Sequence, residues 1–408
     1  MATKTPFEGN TKERRREAVK EKLQFSELTL RHRIGVYAIV LLGLFPVFLT
    51  PLELDAFRPV LFFMMFAMSW DVVSGYTGQL SFGHAFFFAI GGYGSAVVTT
   101  QHGLPVIVGI VLATVVAALG GLLIGIPALR LEGPYLSLVT LIAPLLLYQT
   151  FILFSENLPL FAPQGLGGTG GLPTQPPQIV GFAQDALVTV SGNMSWALGR
   201  YYTAFAAFLI VLSVCYAVTR SSAGTVFTAI REDENAVRSS GLNPAKFKIF
   251  AFVLAGAVGG FAGAMFVHAG GFPNTENLLG PGRIDLSIQV IIMAIIGGMG
   301  TIVGAVAGAL LFALTTEVVN ALTFTIPLLG IEFAALDPLP TFLLAMLVLV
   351  YLPDGVVPEA IRRGRRMRAR YRGEEVPEPE PTGGNSPVQS TIQKYREEIN
   401  DIIGRDNQ

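Results

Sequence analysis

From Ile34 to Leu352 the chain repeats long apolar stretches separated by short polar connections. A helix rises about 1.5 Å per residue, so crossing the hydrocarbon core of a bilayer takes ~20 largely apolar residues. The pattern predicts ten spans, at 34–52, 57–75, 82–100, 105–129, 134–154, 201–219, 249–269, 285–298, 302–322 and 338–352, the eighth being short. Backbone amides in lipid have no water to bond, so each span is expected to be a helix and the fold an all-α integral membrane protein.

Charge orients these spans, because loops rich in Lys and Arg stay in the cytoplasm. The head carries Lys4, Lys12, Arg14, Arg15, Arg16, Lys20, Lys22, Arg31 and Arg33, and the segment after the last span carries Arg362, Arg363, Arg365, Arg366, Arg368, Arg370 and Arg372. Both termini are therefore expected inside the cell membrane. The connection from Ser155 to Gly199 has no Lys or Arg and falls outside, as does that from Leu322 to Asp337. The segment 220–248 holds Arg220, Arg231, Arg238, Lys246 and Lys248 and falls inside.

Three regions follow. Residues 1–33 form a basic tail, with 11–33 expected as an amphipathic helix on the membrane surface. Residues 34–352 form the transmembrane domain, and 353–408 a cytoplasmic tail of an Arg-rich helix, a Pro/Glu linker over Glu374–Pro387 and a short helix over Val388–Ile403.

Composition agrees and excludes several chemistries. Of 408 residues, 51% are hydrophobic and 14% charged, so lipid is the main solvent. The single cysteine, Cys215, allows no intrachain disulfide or cysteine metal site, and four scattered histidines give no zinc motif. There is no GxSxG or HExxH, and no Gly-Lys pair from which a phosphate-binding loop could be built. No catalytic residue, metal, bound cofactor or nucleic-acid partner is expected. An ion-gradient transporter would place charges within its spans, where Asp71 is the main candidate and Glu317 lies near an outer end.

Two segments carry candidate chemistry. In the cytoplasmic segment a short charged helix is expected to end at Gly241, with Pro244 restarting the chain toward the membrane. It reads either as a docking surface or as a solvated loop helix. In the second segment Gly75, Gly78 and Gly83 interrupt an apolar run, and broken backbone at membrane depth is tolerated only when buried in protein or lining a cavity. Asp71, Gly75, Tyr76, Gly78, Gln79, Ser81, Gly83 and His84 are thus candidates to line a path. The alternatives are that the glycines let helices cross and that Asp71 and His84 sit at an interface or cap a helix.

The run Ala229–Glu234 (AIREDE), with Ala236 and Ser240–Asn243 (SGLN), resembles the coupling loop of permeases of the branched-chain amino-acid (Liv-type) ABC transporter family, in particular its LivM branch. The general pattern there is Glu-Ala-Ala with a glycine four residues on. Here Asn235-Ala236-Val237 stand in those places and the glutamate is one position earlier, at Glu234. The segment 75–84 (GYTGQLSFGH) is similar to the family's Gly-Tyr-x-Gly-x-Leu-Ser-x-Gly-His. Leu129–Thr140, Gly167–Pro173 and Met293–Gly304 resemble three further family segments, so the likeness covers about Leu61 to Tyr351. For the late glycines, Gly300, Gly304 and Gly308 on one helix face and Gly256 with Gly260 on another, helix packing is the favoured role.

The resemblance implies a type II-like importer permease of two inverted five-helix halves that moves branched-chain or other small amino acids, urea or short amides being the alternative. It implies a second Liv-type permease, two cytoplasmic ATPases holding ATP and Mg, and an external substrate-binding protein. Arg231, Glu232, Asp233, Glu234, Asn235, Ala236, Arg238, Gly241 and Asn243 are the residues it implies for coupling.

Overall fold

The computed structural model describes residues 30–128, 131, 134–159, 161–179, 193–280, 285–322, 325–326, 331–332 and 339–372. Its helices are α1 (Leu30–Leu44), α2 (Pro51–Trp70), α3 (Ala85–Thr100), α4 (Val106–Ala128), α5 (Pro134–Leu153), α6 (Asn193–Thr219), α7 (Ser222–Glu232) and α8 (Glu234–Ser239). They continue with α9 (Pro244–His268), α10 (Thr275–Leu279), α11 (Asp285–Gly297), α12 (Ile302–Ala321), α13 (Leu339–Tyr351) and α14 (Val356–Arg372). The only strands among the described residues are β1 (Thr325–Ile326) and β2 (Ile331–Glu332), an antiparallel pair. The expected helices at 11–33 and Val388–Ile403 lie outside the described residues, α1 apart, as does the Pro/Glu linker.

Each of the ten expected apolar segments holds a helix. Among the described residues six helices are long and apolar enough to cross a membrane, starting at Pro51, Val106, Tyr135, Trp196, Pro244 and Ile302. A seventh crossing is counted if α13 and α14, bent by 44°, form one span. Three apolar helices are shorter, over Gly35–Phe48, Ala85–Thr100 and Asp285–Gly297. The first expected span ends sooner than its apolar run, because Pro46 opens a 3-10 turn over Phe45–Phe48 and Pro51 starts a new helix. Met1–Thr50 and Pro51–Gln408 form separate units.

In the larger unit α9 is the central helix, packed on α2, α3 and α4. Small residues let these backbones approach. A Cβ at Gly91 would strike the Gly260 backbone, and one at Gly256 would lie 2.5 Å from the Ala117 carbonyl oxygen. The packing role expected for Gly256 and Gly260 is therefore observed, as it is for Gly304 and Gly308 in the α11–α12 hairpin. Gly300 differs: it lies outside α12, in the turn before it, with φ 78°.

Connections gather at two ends. At one, residues 71–84, 231 and 298–300 touch one another, and Gly298 packs against Pro358. At the other, Gln101 bonds Gly165 (2.8 Å), His102 bonds Phe161 (2.8 Å), Leu172 bonds Pro273 (3.1 Å) and His268 bonds Pro177 (2.8 Å).

Candidate functional site

Helix α2 does not stop at Trp70 but widens into a π turn over Asp71–Gly75, and after Tyr76 and Thr77, which are still helical, the chain runs non-helical from Gly78 to α3. Such turns mark functional positions more often than ordinary helix ends do. The broken segment is buried at Ser81, Gly83 and His84 and open at Gly78, Leu80 and Phe82, and neighbouring helices satisfy several of its backbone groups. Thr140 Oγ1 accepts from Phe82 N (3.0 Å), Ser137 Oγ donates to the Leu80 carbonyl (3.0 Å) and Ser287 Oγ accepts from Ala85 N (2.9 Å). Within the segment, Ser74 Oγ donates to the Gln79 carbonyl and accepts from Ser81 N, both at 3.1 Å.

The expected path residues separate into two groups. Gly78 and Gln79 line an open cleft of about 590 Å³, together with Leu80, Phe82, Leu136 and Leu141. Asp71, Gly75, Ser81, Gly83 and His84 are buried inside the protein, and Tyr76 is half-buried. His84 is a cross-link: Ser69 Oγ spends its only hydrogen on the Ala255 carbonyl (2.7 Å), so it accepts from His84 Nε2 (2.7 Å). The ring packs on Phe66 and Phe87. For His84 the interface role is the one observed.

The charged segment 220–248 forms two helices, not the single one expected. Asp233 breaks it by turning its carboxylate onto the Asn235 and Ala236 amides (2.8 and 3.0 Å), which caps α8 and ends α7. Gly241, at φ 85°, stops α8 and Pro244 opens α9, as the sequence implies, and Asn243 caps α9. Glu234 accepts from Arg238 (3.3 Å) and, closely, from Lys248, whose side chain is 7% exposed. Glu234 thus anchors α8 to the foot of α9. Glu232, Asn235, Ala236 and Arg238 face outward, the Arg238 side chain being 65% exposed.

Arg231 joins the two segments. Its Nη1 donates to the Gly75 carbonyl at 2.8 Å, and its Nη2 to Glu232 at 3.2 Å. Gly300 N donates to Asp71 Oδ1 at 2.7 Å. A Cβ on Gly75 would lie 2.5 Å from Gly300 N, and one on Gly78 would lie 3.0 Å from Arg231 Cγ. One on Gly300 would collide with the Arg231 guanidinium. Glycine is thus required at Gly75 by the closeness of Asp71 and the α11–α12 turn, and at Gly78 and Gly300 by their positive φ of 73° and 78°.

Several participants were not legible in the sequence. Lys248, Ser137, Thr140 and Ser287 are ordinary residues of apolar helices until the fold supplies their partners. At the opposite end, Asp55 accepts from Arg58 (2.8 Å) and Arg200 (2.5 Å), so a span carries an arginine that the search for intramembrane charges passed over. Beyond the spans, a hydrogen bond from Arg363 (2.9 Å), with Arg362 beside it, holds the Glu359 carboxyl below its ordinary range. Among the described residues no cluster of His, Cys, Asp or Glu could hold a metal ion.

The chain is similar to the high-affinity branched-chain amino acid transport system permease protein LivM of Escherichia coli K12, with 27% identity over 368 residues, 85% of this chain and 80% of that one. The LivM protein of Salmonella typhimurium LT2 matches to the same extent. No solved structure gives a significant match. The family model for the branched-chain amino acid transport system permease component matches residues 55–352, and the chain belongs to that family.

Proposed function

We propose that this chain is the membrane-spanning permease of an ATP-driven importer and carries branched-chain or other small amino acids across the cell membrane. Family membership over residues 55–352 supports the reading, as does the LivM function of the relatives. The observation that carries the mechanism is the Arg231–Gly75 hydrogen bond, which joins a charged loop to the interruption in a buried span. A gradient-driven transporter would leave that loop idle.

In this reading the outward residues Glu232, Asn235, Ala236 and Arg238 meet an ATPase subunit, and two such subunits supply ATP and Mg. A second Liv-type permease completes the path, and an external binding protein delivers substrate. The cleft beside Gly78 is walled by Leu80, Phe82, Leu136, Leu138 and Leu141, which suits aliphatic side chains better than urea.

Ten crossings with both termini inside fit the contacts. The connections 101–105, 155–179 and 269–280, which meet at one end, contain no Lys or Arg, whereas the opposite end holds Arg231, Arg238 and Lys248. Two inverted five-helix halves fit as well: α9 packs on the α3–α4 pair, and α2 packs on the α11–α12 pair.

The test is leucine uptake into sealed vesicles holding the purified complex. Uptake that requires ATP, the ATPase subunits and the binding protein supports the reading; uptake by this chain alone on an imposed ion gradient overturns it. Competition by urea but not by isoleucine would reassign the substrate.

A further inference from the structure

We propose that Arg231 is a positioning residue that transmits motion from the coupling loop to the membrane domain, and does not itself dock on the ATPase. The inference rests on the importer reading above and deepens it. The resemblance groups Arg231 with the docking residues and the residue is exposed, but its guanidinium is directed at the membrane domain, with Nη1 on the Gly75 carbonyl at 2.8 Å.

The acceptor matters. Gly75 is the last residue of the π turn, so its carbonyl lies where the helical ladder of α2 is interrupted. A carbonyl at a helix end has no partner from within the helix, and a fixed guanidinium both satisfies it and complements the local negative dipole. The second half of the junction is the Gly300 amide on Asp71 Oδ1 (2.7 Å), one turn before Gly75. Arg231 thus grips the end of the π turn while Asp71, at its start, grips the α11–α12 turn.

Displacement of α7 by an ATPase subunit would act on α2 through Arg231 and, through Asp71 and Gly300, on the α11–α12 hairpin. Glycine at 75, 78 and 300 keeps the junction close enough for a shift of an ångström or so to be felt, because close-packed interiors transmit strain. Gly78, against Arg231, also lines the cleft, so the same motion would reach the path wall.

The test compares Arg231→Ala, Arg231→Lys and Gly300→Ala in the complete complex, with leucine as substrate. Arg231→Ala is expected to keep the ATPase subunits co-purifying while leucine moved per ATP hydrolysed falls at least tenfold. Arg231→Lys, which keeps a cation but not the planar fork, is expected to recover part of the ratio. Gly300→Ala should match Arg231→Ala, and the double variant should be no worse than either single one. Loss of the ATPase subunits in Arg231→Ala, or an unchanged ratio, would overturn the inference.

Should Arg231→Ala fail to accumulate, Arg231→Lys and Gly300→Ala carry the same comparison. Amide hydrogen exchange over residues 71–84 reads the junction without transport. It is expected to rise at least fivefold in Gly300→Ala and in whichever Arg231 variant is obtained; unchanged exchange overturns the inference even in a complex that moves no leucine. Failure of the unaltered complex to take up leucine with ATP would count against the importer reading instead.

Discussion

Arg231 Nη1 lies 2.8 Å from the carbonyl oxygen of Gly75, so a charged loop helix and the break in a buried span, 156 positions apart in the chain, share one hydrogen bond. The bond makes two separate sequence signals parts of one device.

Glu234 and Lys248 should behave as a unit. Glu234→Gln strips a cation with a 7% exposed side chain of its charged acceptor, and is expected to destabilise the α8–α9 connection by about 1–3 kcal/mol. Glu234→Gln combined with Lys248→Met should cost less than Glu234→Gln alone, since no buried charge is left behind. Thermal unfolding of the solubilised complex checks both; a double variant worse than the single one would remove the pairing.

The non-helical segment before α3 depends on side chains of α5. Thr140→Val removes the acceptor of the Phe82 amide, and Ser137→Ala removes the donor to the Leu80 carbonyl. Each is expected to lower stability by about 1–2 kcal/mol and to raise amide exchange over residues 78–84 more than elsewhere. Uniform exchange along the chain would show that these bonds do not hold the break.

Acid should loosen the C-terminal helix. Glu359 is held below its ordinary range by Arg363 and Arg362, so its pairing stabilises α14 fully above the pH at which an unfolded glutamate ionises. That contribution falls away as pH drops through the lowered folded value. The protection of amides 356–366 from exchange, taken relative to the intrinsic rate at each pH, is expected to be lower at pH 3.5 than at pH 7, and in Glu359→Gln to be low at both; a Gln variant whose protection still falls in acid would assign the effect to other groups.

The apolar segments were legible as helices because apolar length dominates in lipid, and a helix occupies every segment it marked, six of them long enough to cross a membrane. Helix ends were legible where local chemistry decides: Gly241 at positive φ stops α8, and Pro244 opens α9. The break at Asp233 was missed although Asp followed by a short charged run is a capping signal; the continuous charge pattern hid it. The junction itself could not be read from sequence. Gly300 looked like one more small residue in a packing stripe, and only its contact with Asp71 and Arg231 reveals a turn that two other segments require. His84 looked functional because it is ionisable at membrane depth, yet Ser69 and two phenylalanines account for it as a cross-link.

The side on which the coupling loop lies is tested most directly by one thiol. The native Cys215 is buried, so Arg238→Cys supplies the reactive cysteine on a 65% exposed position of α8. Applied to sealed vesicles of known orientation, a membrane-impermeant maleimide is expected to label residue 238 only from the cytoplasmic face, and to be blocked when the ATPase subunits are bound. Labelling from the external face, or labelling indifferent to the ATPase, would contradict a loop that receives work from nucleotide hydrolysis.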